Sequence, residues 1–332
     1  MTKPTHLNRR QLMVSAGLAA TTLGAASANA QTAADTQPLK GTSILITGAS
    51  SGFGRLGAEH YARLGAKVFA TMRNLPRTEA TELETLATNE NLDITVIEID
   101  VTSDAQVTAG VAAALAANDG KLDVLINNAG IAYAGPVEAQ DMAATQLIFD
   151  TNVYGPHRMA RAVLPAMRAA GSGLIFNVTS QLGRLVIPGF GQYSPTKFAL
   201  EAMSEQMAYE VAMQGIEVSI IQPGGYPTDI WENQTALSKA LKARLPEDLI
   251  EAYGPMTAGM GGGENTGGRT DPMDIPRNIA EIIQMPAGTR PLRRAVHPNA
   301  KPQVPINEVS AKQQMAMLGD SGYAPLLKAV LD

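Results

Sequence analysis

The chain has 332 residues, a formal net charge of -5, 45% hydrophobic residues and 17% charged residues. That balance supports a globular core and excludes a disordered chain, and no Lys/Arg run is long enough to follow a phosphate backbone, so nucleic acid is not an expected partner. With no cysteine and only four scattered histidines (His6, His60, His157, His297), neither a disulfide framework nor a metal site is expected.

Residues 1–10 carry Lys3, Arg9 and Arg10, residues 11–26 are small and uncharged, and Ala28-Asn29-Ala30 offers an A-x-A cleavage site. This is the order of a secretory signal peptide over residues 1–30, and Asn8-Arg9-Arg10-Gln11-Leu12-Met13 resembles a twin-arginine export signal. The alternative is a basic, frayed extension. The stretch is too short and polar for a membrane span, which needs about 20 apolar residues. Periplasmic export without stable membrane insertion is therefore expected, or a cytoplasmic location if the signal does not function. Residues 31–40 read as a linker, and a single domain is expected over 41–332.

From Gly41 onward, apolar β-branched runs predict strands over 43–47, 67–71, 94–99, 124–126, 174–178 and 218–221. Helical spacing predicts helices over 54–64, 78–87, 105–117, 143–169 and 198–213. Such β-α-β alternation implies an α/β fold with a doubly wound parallel sheet of Rossmann type, which binds ligands beyond the carboxyl ends of its strands. Further on, helices are predicted over 231–253 with a break at Pro246, over 273–283 and over 307–331. The Gly-rich stretch 259–268 is either a substrate lid or a disordered connector. The region from about 225 to 332 is the expected helical, variable substrate portion.

Thr47-Gly48-Ala49-Ser50-Ser51-Gly52-Phe53-Gly54 follows the first strand and opens the first helix, where glycines let the backbone approach a pyrophosphate at a helix N-terminus. An NAD site normally carries Asp or Glu about 20 residues beyond this turn. Here the second strand runs into Arg73 with no carboxylate, and a guanidinium suits a 2'-phosphate. NADP is therefore the expected cofactor, with NAD as the lesser alternative. Ser180 ends the fifth strand, and Tyr193 and Lys197 share one helical face four residues apart.

TGASSGFG resembles the cofactor loop of the short-chain dehydrogenase/reductase family. Asp100-Val101, Asn127-Asn128-Ala129-Gly130 and Pro223-Gly224 follow in that family's order, and the resemblance spans roughly residues 41–230. It implies that Gly48, Ser50, Ser51, Gly52, Phe53 and Gly54 hold the cofactor phosphates and that Asp100 meets the adenine with Val101 beside it. By the same resemblance Asn127 flanks the adenine ribose, with Ala129 and Gly130 following, while Pro223, Gly224 and Thr228 border the nicotinamide. Asn127 read alone is equally a sheet brace. Asn152, Ser180, Tyr193 and Lys197 match the family's catalytic tetrad. Tyr193 is then the general acid of reduction and the base of oxidation, and Ser180 polarises the substrate oxygen. Lys197 lowers the phenol's pKa and grips the ribose, and Asn152 holds a proton-relaying water.

The later sequence, including Arg290-Pro291-Leu292-Arg293, resembles the 17β-hydroxysteroid and retinol dehydrogenase branch, which implies a hydrophobic alcohol or ketone. Residues 182–190, with Tyr226, Trp231 and Met256, are expected to line its pocket. A homodimer or homotetramer is expected through the long fourth and fifth predicted helices. The alternatives are a non-catalytic NADP-binding sensor or scaffold, and an epimerase or dehydratase on the same fold.

Overall fold

A computed structural model describes residues 37–262 and 268–331. The expected signal peptide, most of the linker and residues 263–267 of the Gly-rich stretch lie outside the described residues. Seven strands form one parallel sheet in the order β3-β2-β1-β4-β5-β6-β7. They are β1 (Ser43–Ile46), β2 (Lys67–Met72), β3 (Ile94–Glu98), β4 (Val124–Asn127), β5 (Gly173–Val178), β6 (Ile216–Pro223) and β7 (Arg293–Val296). The chain reverses its direction of travel across the sheet between β1 and β4, and a crevice opens there at the carboxyl ends of the strands.

Alternating side chains feed two separate cores, as the pleat requires. Ile44 and Ile46 on β1, Val124 and Ile126 on β4, and Leu174 and Phe176 on β5 pack on one face. Helix α1 (Gly52–Arg63) covers them with Ala58, Tyr61 and Ala62, and α10 (Asp274–Gln284) adds Ile275, Ile279, Ile282 and Ile283. Leu45, Leu125 and Ile175 turn to the opposite face. There they meet Val107 and Val111 of α3 (Asp104–Ala116), Met159 and Val163 of α5 (Gly155–Ala170), and Met207 and Val211 of α6 (Tyr193–Val211). Each such fully buried side chain contributes about 1.5–3 kcal/mol, so both faces are firmly closed. Helix α2 (Thr78–Glu90) flanks the first core through Ala80 and Leu83.

Two expectations need correcting. The helix expected over 143–169 is interrupted, running as α4 (Met142–Phe149), a π-helical turn over Asp150–Tyr154, and then α5. Pro156 has no N–H to return to the Asn152 carbonyl four residues back, and the Gly155 N–H reaches five residues back to Asp150 instead. The seventh strand was not expected, because Arg293-Arg294-Ala295-Val296 lacks an apolar run. Helices α7 (Ile230–Lys242), α8 (Glu247–Tyr253) and α9 (Pro255–Ala258) follow β6, and α11 (Val304–Leu318) and α12 (Ala324–Leu331) end the chain. No helix of the described residues is long and apolar enough to cross a membrane.

Candidate active site

The crevice is a cavity of about 750 Å³. Gly48, Ser50, Ser51, Gly52 and Phe53 form one wall. Gly52 adopts φ +53°, in the left-handed region that favours glycine. Gly54 has a different function: a Cβ there would lie 2.1 Å from the Gly48 carbonyl oxygen. It therefore lets α1 approach its own loop, and it faces that loop rather than the cavity. The loop is pinned from β4 by Asn128, whose Nδ2 donates to the Thr47 carbonyl at 2.9 Å and to the Gly48 carbonyl at 3.3 Å. Thr47 Oγ1 in turn accepts from the Asn128 and Ala129 N–H groups, each at 3.0 Å.

Arg73, Asp100, Val101, Ala129, Gly130, Pro223, Gly224 and Thr228 also line the cavity. Asp100 Oδ1 accepts from the Thr102 N–H at 2.9 Å and hydroxyl at 2.7 Å, which fixes the carboxylate at the rim. Arg73 forms no ion pair among the described residues, whereas its neighbour Arg77 is tied to Glu79 through Nε at 2.9 Å. The fit to a dinucleotide rests on the glycine loop: the Gly48 and Gly54 positions have no room for a side chain, and Gly48, Ser50, Ser51 and Gly52 line the cavity where α1 starts.

Asn127 is not part of this wall. It is 3% exposed, and its Nδ2 donates to Asn177 Oδ1 at 2.8 Å, while Asn177 Nδ2 donates to Ser204 Oγ at 2.8 Å. The amide thus braces β4, β5 and α6, while Asn127 Oδ1 has no hydrogen-bond partner among the described residues. Alternation along the strand accounts for this, since Asn127 is the last paired residue and faces inward, and Asn128 is the first beyond it. Asn128, which sequence reasoning passed over, stood beside it in the same motif.

Ser180, Tyr193 and Lys197 line the same cavity, and Tyr193 shares a hydrogen bond with Ser180. The Lys197 ammonium donates to the Val178 carbonyl at 3.0 Å and lies 5.6 Å from the centre of the Tyr193 ring. Burial pushes the Tyr193 phenol up to about 12, with a hydrogen bond to Ser180 pulling it back. Burial likewise brings Lys197 down to about 8, opposed by the Glu201 carboxylate. Lys197 stands beside the ring, and burial is the largest influence on the phenol. A raised phenol stays protonated at neutral pH and is ready to donate to an oxygen developing negative charge.

Asn152 and Lys197 make no direct hydrogen bond, and both side chains face Gly130. Asn152 Oδ1 accepts from the Ile131 N–H at 2.9 Å, and its Nδ2 donates to the Ile131 carbonyl at 2.8 Å and to Thr196 Oγ1 at 3.1 Å. These bonds use both Nδ2 hydrogens and leave one lone pair on Oδ1, and the side chain clamps the β4 loop to the turn of α6 between Tyr193 and Lys197. Of the expected substrate wall, Leu182, Ile187, Phe190, Tyr226 and Trp231 line the cavity, joined by Ile131 and Leu237. Met256 is 45% exposed and absent from the wall, and Met260 is the methionine that packs inward, against Tyr133.

Residues 42–238 match a family model described as short chain dehydrogenase. The uncharacterized oxidoreductase YusZ of Bacillus subtilis is 32% identical over 260 residues, 77% of this chain and 88% of that protein. Human retinol dehydrogenase 8 is 37% identical over 191 residues, 56% of this chain and 59% of that enzyme, so the match spans less than two thirds of its length. A solved short-chain dehydrogenase from Streptomyces avermitilis superposes with a TM-score of 0.65 at 31% identity, covering 83% of this chain and 96% of that one.

Proposed function

This chain belongs to the short-chain dehydrogenase family, and on that premise we propose that it is an NADP(H)-dependent oxidoreductase interconverting a hydrophobic alcohol and its carbonyl. The observation that carries the reading is that Ser180, Tyr193 and Lys197 line the same cavity as the glycine loop and Arg73. A bound nicotinamide supplies or accepts the hydride. Ser180 Oγ and Tyr193 Oη hold the substrate oxygen, Tyr193 delivers or removes its proton, and Lys197 places a positive charge beside that proton. Ile131, Leu182, Ile187, Phe190 and Leu237 exclude water and favour an apolar substrate body. The name of the human relative, a retinol dehydrogenase, is consistent with that class.

Arg73, unpaired among the described residues and beside Ser50 and Ser51, supports the 2'-phosphate reading. Glu79 also borders the cavity, but its charge is engaged by Arg77. The sequence of residues 1–30 supports export, and the exposed Leu147, Tyr154 and Phe198 on α4, the π turn and α6 support a self-associating face. The test is NADPH oxidation with a panel of steroid, retinoid, aliphatic and sugar carbonyls. Wild type should turn over the apolar ones, and Tyr193→Phe should lose at least about 100-fold in kcat while binding NADPH normally. Turnover by Tyr193→Phe at the wild-type rate refutes the assignment.

A further inference from the structure

The end of β5 is gripped on successive residues. The Val178 carbonyl accepts from Lys197, the Thr179 hydroxyl donates to Glu201 Oε1 at 2.7 Å, and Ser180 follows at the reacting end. Lys197 and Glu201 stand one helical turn apart on α6 and share a face. Glu201 is 1% exposed, and burying a carboxylate is costly unless it is paired and hydrogen-bonded. Both conditions are met: Oε1 also accepts from Gln222 Nε2 at 2.9 Å, and Oε2 accepts from Arg293 Nε at 2.9 Å. Arg293 is shared with Glu205, whose second oxygen accepts from the Tyr209 hydroxyl at 2.8 Å. Gly183 closes over the carboxylate stem, since a Cβ there would lie 2.9 Å from Glu201 Cγ. The proton chemistry at Ser180, Tyr193 and Lys197 leaves this buried acid without a function.

We propose that Glu201, held by Arg293, is a positioning residue that fixes the Thr179-Ser180 strand end against the Tyr193 turn and supplies the negative charge that favours the ammonium form of Lys197. The proposal rests on the reading of Ser180, Tyr193 and Lys197 as the reacting groups. Lys197 faces the Val178 carbonyl from β5, Gly130 from the β4 loop and Tyr193 from its own helix. The other charged groups nearby, Arg293 on β7, Glu205 on α6 and Arg184 after β5, gather around Glu201 rather than around Lys197. Glu201 is the carboxylate whose charge opposes the desolvation of Lys197.

The test uses the full chain labelled with carbon-13 at lysine Cε, with the Lys197 resonance assigned by its loss in Lys197→Met. Glu201→Gln keeps the shape and removes the charge. The Lys197 transition should move to lower pH by about one pH unit, and kcat should fall about tenfold with KM nearly unchanged. Glu205→Gln, which removes an equal charge one turn further on, should leave the Lys197 transition in place. If Glu201→Gln does not fold, the triple variant Glu201→Gln, Glu205→Gln, Arg293→Met removes the whole buried cluster, and a downward movement is again expected, because two negative charges are lost with one positive charge. A Lys197 transition that coincides with wild type in the folded variant, or that moves equally in Glu205→Gln, overturns the proposal. A chain that turns over no carbonyl in any form refutes the functional reading, and the Lys197 titration still decides this one.

Discussion

Replacing Gly54 by alanine adds one methyl group and should abolish tight cofactor binding. An ideal Cβ at this position lies 2.1 Å from the Gly48 carbonyl oxygen and 2.6 Å from Asn128 Nδ2, against roughly 3.4 Å for ordinary contact. Neither neighbour yields easily, because the first is backbone and the second is the amide that pins the same loop to β4. The loop must therefore retreat by roughly 1 Å, and a misplacement of that size in an oriented site costs about 100-fold. The strain itself costs about 1–3 kcal/mol, enough to lower Tm by several degrees without unfolding the chain at room temperature. Trp231 is the only tryptophan and lines the cavity, so its fluorescence reports NADPH binding directly. Gly54→Ala should raise Kd for NADPH by about 100-fold. Gly322→Ala, where nothing lies within 4 Å, should leave it unchanged. A Gly54→Ala chain that binds NADPH with wild-type affinity would refute the claim that this glycine sets the loop position.

Arg73→Ala should lower kcat/KM for NADPH by about 10- to 100-fold and leave NADH nearly unaffected, since only the 2'-phosphate loses a charged partner; an unchanged NADPH value would remove Arg73 from the cofactor site. Burial depresses Lys197 from 10.5 to about 8, so between those values the unfolded chain binds the additional proton and folding gains stability as pH rises. The stability of wild type relative to Lys197→Met, measured by urea unfolding, should therefore increase from pH 8 towards 10.5, and a flat difference would contradict the burial. Fractionation of cells expressing wild type and the Arg9→Lys, Arg10→Lys double variant should find the wild type processed and periplasmic and the variant retained; uncleaved cytoplasmic protein in both would reject export.

The five inner strands were legible because they are buried runs rich in apolar residues, as at Ser43-Ile44-Leu45-Ile46, and the edge strand β3 was legible from its β-branched run Ile94-Thr95-Val96-Ile97. The seventh was not, because the two arginines of β7 make ion pairs with Glu201 and Glu281 in place of an apolar run. The reacting trio could be read from spacing, since helical periodicity alone places Tyr193 and Lys197 on one face. What spacing could not tell was where each amide spends its hydrogen bonds. Asn127 and Asn152 carry motif positions, yet both amides donate to long-range partners, Asn177 and the Ile131 carbonyl, that no local pattern announces. The burial that raises the Tyr193 phenol was hidden for a related reason, because a neighbouring ammonium is visible in the sequence and the depth of burial is not.

The amide ladder of Asn127, Asn177 and Ser204 also bears on how the sheet assembles. Val, Ile and Leu on β4 and β5 are nearly interchangeable partners, so apolar contact alone discriminates weakly between the native pairing and one slipped by two residues. A slip of either kind would separate Asn127 from Asn177 and leave both amides stranded in the interior, at a cost of about 1–3 kcal/mol for each lost partner. The ladder thus acts as a key for strand register, and its removal by a paired Asn127→Leu, Asn177→Leu exchange would relax the fidelity of folding before it weakened the folded sheet.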